Sequence, residues 1–513
     1  MNVWLFQGRM GRWWLIVLAV LLIGAVSATI LHESIPDQQI AQSDTGGFQF
    51  DVSSFLHARR IVDYEQPAPE LARAISAVYS SSDKDVSVIP ESSKGLDIVL
   101  IDNVPFYHYW QDEVKRYVFH PMAYGRFLAR LDCNEPVERY VDAAIAMAQD
   151  LPNGGLLWYY PNNYRLNRFL GPDLSPSAMS QGQILGAITG LDERCQTDLS
   201  EIARRVFLGL SFDYYDGGVN LEDRTLLEIP LFRSAPEIIL NGWLHALLHL
   251  NNYVKHYRDP RAEELLASNI QFLAKTLDNF HDKETGLSLY SDLCPYRVRV
   301  HHETEELHRL TVFYKARSSD LDALAFDLKV IGHDTQSPYD NQIIRETQSF
   351  TDIWINCSQN YETYLVSDRP VTVSFSTGKY SPYRSTPGTG GERIELESEQ
   401  VSDYHVVNIT SVRDKLFCGY PTNFSKMGEN YYHTYHVVAL ACLIVAADMP
   451  NETPATLRTW MERCIRAIES TDHPEGLAFA SYDKILNDLF KHKVFTLTDD
   501  WDTLWRMARE AGR

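Results

Sequence analysis

Several familiar chemical signatures are missing from this 513-residue chain. Its cysteines number 7 and no two are spaced as C-x-x-C, so zinc-ribbon and thioredoxin-like chemistry have no support. In a chain this long they are also too few for a disulfide framework. There is no G-x-x-x-x-G-K-[ST] loop, no G-x-G-x-x-G after a strand-like run and no G-x-S-x-G turn, which leaves nucleotide-driven and serine-hydrolase chemistry without a basis. Positive charge is scarce: 47 Lys and Arg against 68 Asp and Glu leave a net charge of -21. General nucleic-acid binding needs a basic face, so that class is set aside. A polyanionic ligand, on the same grounds, requires a local basic cleft. The chain carries neither an internal repeat nor a low-complexity tract.

What is present is an ordinary globular balance, 45% hydrophobic and 22% charged, with 28 Tyr and 10 Trp. Tyrosine offers a flat apolar face and a hydroxyl, which suits sugar rings, although most tyrosines serve the cores. Arg9 and Arg12 precede an uncharged run from Trp13 to Leu31 that is long enough to cross a bilayer. Residues 1–31 therefore read as a membrane anchor with a cytoplasmic N-terminus, or as a signal sequence cleaved near Val26-Ser27-Ala28. Either reading puts the remainder on the extracytoplasmic side, in a periplasm, at a cell surface or in a secretory lumen. Asn356, Asn408, Asn423 and Asn451 lie in N-x-S/T triplets, which also arise by chance.

Residues 32–49 are polar and read as a stalk. From 50 to 120 short apolar runs such as Asp97-Ile98-Val99-Leu100-Ile101 predict a β-rich N-terminal region. From 121 to 304 the period becomes helical, with segments 121–131, 136–149, 176–190, 199–210, 236–256 and 260–279. Ser175 before Pro176, and Pro260, carry helix-start chemistry. Residues 305–425 turn β-branched and alternating, with a Gly/Pro loop at 385–391, and 426–513 are helical again. The expected fold class is multidomain α+β: an α/α toroid, an incomplete barrel, carrying a β-rich N-terminal region and an inserted β-rich module. Aromatic-rich loops between paired helices suggest carbohydrate chemistry, by fold analogy alone.

Four segments carry the chemistry. They are Ser177-Ala178-Met179-Ser180-Gln181-Gly182-Gln183, Leu240-Asn241-Gly242-Trp243, Asp282 through Thr285-Gly286 to Tyr290, and Tyr432-His433-Thr434-Tyr435-His436. Val104-Pro105, Trp110, Tyr117 and Pro121 add a weaker echo. Each is short, but together and in this order they resemble the D-glucuronyl C5-epimerase family, over about residues 100–300 and 430–445. The resemblance implies an isomerase that turns D-glucuronate into L-iduronate units within a polysaccharide, without a cofactor. It implies that Tyr290 and Tyr432 handle protons on the two faces of C5, with Glu228, before Pro230, as a further acid.

That chemistry removes a proton α to a carboxylate and returns one on the other face, so two proton carriers are needed. A tyrosine starts near pKa ~10 and needs a cation or strong donors to act as a base. His433 and His436, one turn apart, are candidates for that help and for substrate contact, as are Gln181, Gln183, Asn241 and Trp110. Plainer roles stand beside each. Tyr290 can pack a hairpin, the histidines can cap a helix, Asn241 can brace a loop, and Gln181 and Gln183 diverge around the helix so that one of them braces its neighbours. Glu228 can equally be an exposed ion-pair residue.

Two departures from the family pattern matter. The β-rich module separates the two tyrosine motifs, and the arginine that the family carries before its second tyrosine is absent from Lys426-Met427-Gly428-Glu429-Asn430-Tyr431. Arg297, with Arg299, Arg165 and Arg168 as alternatives, is the candidate clamp for the uronate carboxylate. His301-His302-Glu303-Thr304-Glu305-Glu306-Leu307-His308 lacks H-E-x-x-H spacing and reads as a polar linker, so no metal is expected. The expected partners are a uronic-acid-containing polysaccharide, the membrane through the N-terminal helix and a second copy of the chain in a homodimer. Rival readings are a uronate polysaccharide lyase, a non-catalytic surface glycan-binding protein and, behind these, a two-carboxylate glycoside hydrolase.

Overall fold

The computed structural model describes residues 50–511 except 61–66, 81–86, 89–97, 102–103, 112–113, 162–173, 229, 231–234, 284, 303–308, 329–341, 347–349, 377–392, 416–428, 451, 471–477 and 492–499. The expected anchor at 1–31, the stalk at 32–49, the loop at 385–391, Arg165, Arg168, Asn423, Asn451 and most of the 301–308 stretch lie outside the described residues. Among the described residues no helix is long and apolar enough to cross a membrane.

The fold is mixed α+β and multidomain, with 12 α-helices among the described residues. In chain order these are α1 (Val52–His57), α2 (Pro69–Ile75), α3 (Pro121–Ala129), α4 (Val137–Ala146), α5 (Ala178–Cys195), α6 (Ser200–Leu210), α7 (Leu240–Tyr257), α8 (Pro260–Thr276), α9 (Tyr431–Ala446), α10 (Thr453–Glu469), α11 (Tyr482–Lys491) and α12 (Trp501–Glu510). The helical periods in the sequence find α3 to α10 closely. Pro260 opens α8 as expected, with Asp259 capping through the Arg261 N–H at 3.0 Å. Ser175 does not cap α5. Ser175–Pro176 instead pairs as a short strand with Tyr159–Tyr160, and the helix begins beyond Ser177. A partner far back in sequence takes up that backbone before a helix can form.

Helix α5 is the centre of the helical part, gripped by α3 on one side and α7 on another. Small residues allow both approaches. A Cβ on Gly125 of α3 would lie 2.7 Å from the Gln183 Cγ, and one on Gly182 would lie 2.9 Å from the Ala246 Cα of α7. Helix α9, apolar around nearly its whole circumference, packs on α7 and is covered by α10, α11 and α12. The largest sealed rings, Trp158, Trp243 and Trp460, belong to this core. The Trp243 N–H is satisfied by Asn269 Oδ1 at 2.9 Å and that of Trp158 by the Ala144 carbonyl at 2.9 Å.

Three larger sheets flank the helices. Strands Val78–Ser80, Val114–Phe119, Val104–Gln111, Ile98–Ile101 and Ser87–Val88 form an antiparallel sheet leading into α3. A second sheet runs Gln342–Glu346, Phe350–Ser358, Leu293–His301, Thr372–Ser376, Arg393–Glu397. The third runs Arg59–Arg60, Leu324–Asp327, Leu310–Ala316, Tyr361–Ser367, Tyr404–Asn408, Glu399–Val401. Two expected boundaries therefore move. The inserted module begins with the strand Leu293–His301, ahead of 305, where Tyr296, Val298 and Val300 alternate inward. Residues 50–60 belong with the third sheet rather than with the N-terminal region: Phe50, Phe55 and Ala58 share a core with Phe313, Tyr364 and Val406. Polar flanks hid that docking, because an apolar pair in a short helix has no period to read.

A disulfide joins Cys133, beyond α3, to Cys195 at the end of α5, closing 62 residues of sequence. A loop of that length removes about 4 kcal/mol of unfolded-state entropy. Replacing Cys133 and Cys195 by Ser should lower Tm by roughly 5–10 °C. Calorimetry showing an unchanged Tm would mean that α3 and α5 hold that loop without the bond.

Candidate functional site

The third motif is a turn that delivers Tyr290. The Thr285 hydroxyl donates to Asp282 Oδ2 at 2.6 Å, and the Gly286 N–H donates to the Asp282 carbonyl at 2.8 Å. Gly286 has φ +73°, where a side chain would be strained. The chain then runs back, Leu289 N–H to the Phe280 carbonyl at 2.8 Å, and meets the start of α7. There the Leu240 N–H donates to the Tyr290 carbonyl at 3.0 Å, and Ile239 and Ser291 form an antiparallel bridge. The first turn of a helix has spare N–H groups, and one of them fixes this tyrosine.

The Leu240-Asn241-Gly242 segment acts as a unit on Glu228. The Tyr290 hydroxyl donates to Glu228 Oε1 at 3.4 Å, and Asn241 Nδ2 donates to Oε2 at 3.1 Å. The Gly242 backbone N–H adds a third donor. A Cβ on Gly242 would sit 2.2 Å from Glu228 Oε2, so only glycine leaves room for the carboxyl. Burial pushes the Glu228 pKa up to about 7 against these donors, which pull it down. A carboxyl near neutrality beside a phenol is a proton acceptor for it.

Tyr432 arrives from α9. Asn430 caps that helix, accepting the His433 N–H at 3.1 Å, which sets Tyr432 in the first turn. The Tyr432 ring meets the Tyr290 ring edge-to-face, centroids 4.9 Å apart and planes inclined by 68°. Both tyrosines are half-buried. The N-terminal end of α9 carries partial positive charge, which favours a phenolate at Tyr432. Residues 142 positions apart are thus in contact.

The two histidines stand behind this pair. His433 and His436 are both 0% exposed, so the expected sugar contact is replaced by an internal one. The Ser288 N–H donates to His433 Nδ1 at 2.9 Å, and His433 Nε2–H donates to the Cys464 carbonyl at 3.0 Å. This pattern requires neutral imidazole with the proton on Nε2. Ser288 Oγ lies 2.9 Å from His433 Nδ1 and 2.8 Å from His436 Nδ1. Burial, then the neighbouring His433, hold the His436 pKa well below the ordinary imidazole value. The histidines therefore supply no positive charge. They brace the loop two residues before Tyr290.

Gln181 is also committed to the fold: its Nε2 donates to the carbonyls of Leu156 at 2.7 Å and Val206 at 3.0 Å, and its Oε1 faces the Trp158 N–H at 3.4 Å. Gln183 is fully enclosed where α5 meets Gly125. Arg297 and Arg299, on one face of their strand, both donate to Asp352, Arg297 at 2.8 Å and Arg299 at 2.7 and 3.0 Å. The expected carboxylate clamp already holds a carboxylate of the protein. Trp110 lies in the strand Val104–Gln111 opposite Lys115, and its side chain is outside the described residues. Among the described residues no cluster of three His, Cys, Asp or Glu is placed to hold a metal.

Residues that the sequence reading passed over complete the site. Asp292 is sealed, accepting from the Ile238 N–H at 3.0 Å, the Ser358 hydroxyl at 2.7 Å and Asn360 at 2.9 Å. It ties the approach to α7 to the inserted module. Glu237, also sealed, is raised to about 8 by burial, with the nearby Asp292 and Glu228 adding to it; Asp292 is raised to about 6, chiefly by burial. The available signal was an acid inside apolar sequence, Glu237 before Ile238-Ile239-Leu240, and Asp292 two residues after Tyr290.

No protein-family model matches the chain, and neither a curated protein nor a solved structure matches it.

Glu237 keeps its proton in the fold while the unfolded chain loses it near pH ~4.5, so its contribution to stability is present at low pH and is lost as pH rises through about 8. Glu237→Gln removes that slope, on the order of 3 kcal/mol across the window. The Tm of the variant relative to wild type should climb between about pH 5 and about pH 8. A constant difference would show that Glu237 ionises as freely in the fold as in the unfolded chain.

Proposed function

We propose that the chain is a polysaccharide uronate C5-epimerase that converts D-glucuronate to L-iduronate units, with Tyr290 and Tyr432 as its proton carriers. The observation that carries this reading is the 4.9 Å contact between those two rings, with Glu228 hydrogen-bonded behind Tyr290. The resemblance in motif order supplies the substrate class. The helices also fit the α/α toroid expected of such an enzyme: α3, α5, α7 and α9 pack in sequence, and each is followed by a helix that packs on it.

The proton steps follow from the placement. The rings touch, so on this reading a sugar rests against the hydroxyl ends of the pair rather than between its faces. Tyr432, at the positive end of α9, takes the C5 proton as a phenolate. The electron pair passes into the adjacent carboxylate, giving an enolate. Tyr290 returns a proton to the opposite face, and its own proton balance is kept by Glu228. In the reverse direction Glu228 accepts the proton that Tyr290 gives up.

A second reading draws on the same contact. Two phenols side by side also suit abstraction at C5 and protonation of a leaving O4 on one face, which is the chemistry of a uronate lyase. The two reactions separate at the fate of the enolate.

Incubation of the purified chain with a heparosan-like glucuronate polymer in deuterated water should place deuterium at C5 and produce iduronate signals. Tyr290→Phe and Tyr432→Phe should each lower the rate by about 10²- to 10⁴-fold. No incorporation with any uronate polymer sinks the epimerase reading, and an unsaturated uronate product would move the assignment to the lyase. If protonated Glu228 restores the Tyr290 proton, forward turnover falls as pH rises through about 7. Glu228→Gln should remove that limb from the pH profile, and an unchanged limb would assign it to another group.

A further inference from the structure

Arg126, on α3, is a cation without a counterpart. Its Nε is fully buried and makes no hydrogen bond, and among the described residues no carboxylate or carbonyl pairs with the guanidinium. The side chain as a whole is half-buried, and its terminal nitrogens are not among the sealed unpaired atoms, so they keep access to solvent. An arginine with a buried, unsatisfied nitrogen costs free energy unless something completes its hydrogen bonds. In a chain of net charge -21 that carries an excess of carboxylates, such an arginine has been left open.

Its surroundings point to an anion. The groups whose ionisation feels the Arg126 charge are Arg130, His120, His249, Tyr431 and Tyr435, none of them an anion in this environment. His249 of α7 is 0% exposed, rests against Gly186 of α5, and has both ring nitrogens buried without a partner. A second set of unmet polar atoms therefore lies within electrostatic reach of the guanidinium. The place is also joined to the candidate site. Tyr431 is in ring contact with Tyr432 at 5.8 Å, and Tyr435 is within electrostatic reach of both Arg126 and Glu228. Asp488, which also acts electrostatically on Arg130 and Tyr431, already accepts the Tyr431 hydroxyl at 3.0 Å.

We infer that Arg126 is the residue that receives a carboxylate of the bound glycan, the role left open when Arg297 and Arg299 closed on Asp352. The planar fork of a guanidinium matches a carboxylate with two parallel N–H donors, and the bound anion removes the cost of the unpaired charge. The inference rests on the uronate reading only for the identity of the anion. Arg126 acts here as a binding and positioning residue for an acidic sugar rather than as a proton carrier.

The test uses the full chain, a heparosan-like glucuronate polymer and the same polymer with its carboxyl groups reduced to uncharged alcohols. Wild type should bind the carboxylated polymer and gain Tm from it, and should bind the reduced one at least 10-fold more weakly. Arg126→Gln should lose this preference, with KM raised about 10- to 100-fold and kcat changed less. Its Tm without polymer should be no lower than that of wild type, because no partner in the fold is lost. A structural arginine would instead lower Tm and leave the preference intact. Arg126→Lys keeps the charge without the fork and should fall between the two, which preserves the comparison if the glutamine variant does not fold. Equal preference for the carboxylated polymer in wild type and both variants, or no binding of that polymer by wild type, overturns the inference. If wild type binds through Arg126 but incorporates no deuterium, the inference stands and the epimerase reading falls. If turnover occurs and KM ignores Arg126, the outcome is the reverse.

Discussion

The clasp between residues 238–240 and 290–292 is the constraint on which the site depends. It is made of backbone groups: the Leu240 N–H on the Tyr290 carbonyl, the Ile239–Ser291 bridge, and the Asp292 N–H on the Ile238 carbonyl at 3.3 Å, closed by the Asp292 carboxyl on the Ile238 N–H. Because these bonds use the entry to α7, they set Tyr290 and the Asn241-Gly242 cradle of Glu228 in one motion. Because Asp292 also holds Ser358 and Asn360, the inserted module is anchored at the same point. A β-rich module placed between two halves of a helical unit can disturb the meeting of those halves. Here it begins at the clasp and reinforces it.

Around the clasp the interior is polar yet largely uncharged. His433 and His436 are neutral, and burial holds the protons of Glu228, Glu237 and Asp292 into or towards the neutral range. Desolvation disfavours the ionised form of every one of them, and hydrogen bonds offset only part of that cost. The consequence for chemistry is a set of groups that can take or give a proton near neutrality, next to two phenols that cannot do so alone. The consequence for binding is that positive charge has to come from elsewhere in the helical unit, since the two arginines nearest in sequence to the Tyr290 loop are held by Asp352. Arg126 on α3 is the residue proposed for that role.

Much of the helical unit was legible because helix formation answers to local rules. The 3.6-residue period, the Asp259-Pro260 start and the glycine at 286 all act within a few residues of themselves. Legibility failed where a distant partner intervened. Ser175-Pro176 pairs with Tyr159-Tyr160 instead of capping α5, and Phe50 and Phe55 join a sheet more than 250 residues further along. Gln181 was a candidate sugar ligand through its place in the segment Ser177 to Gln183, with bracing of its neighbours as the plainer role. Its partners, the carbonyls of Leu156 and Val206, carry no sequence signature.

The amino-acid sequence by itself determined the helices, the turn that ends in Tyr290 and the two tyrosine segments, since each depends on spacing and on backbone preferences within one stretch of chain. Tertiary structure alone decided which side chains share a site and in what protonation state. Tyr290 meets Glu228 across 62 residues, and Ser288 meets His433 across 145. The pKa of a buried group is set by desolvation and by neighbours of this kind, and no local pattern encodes either.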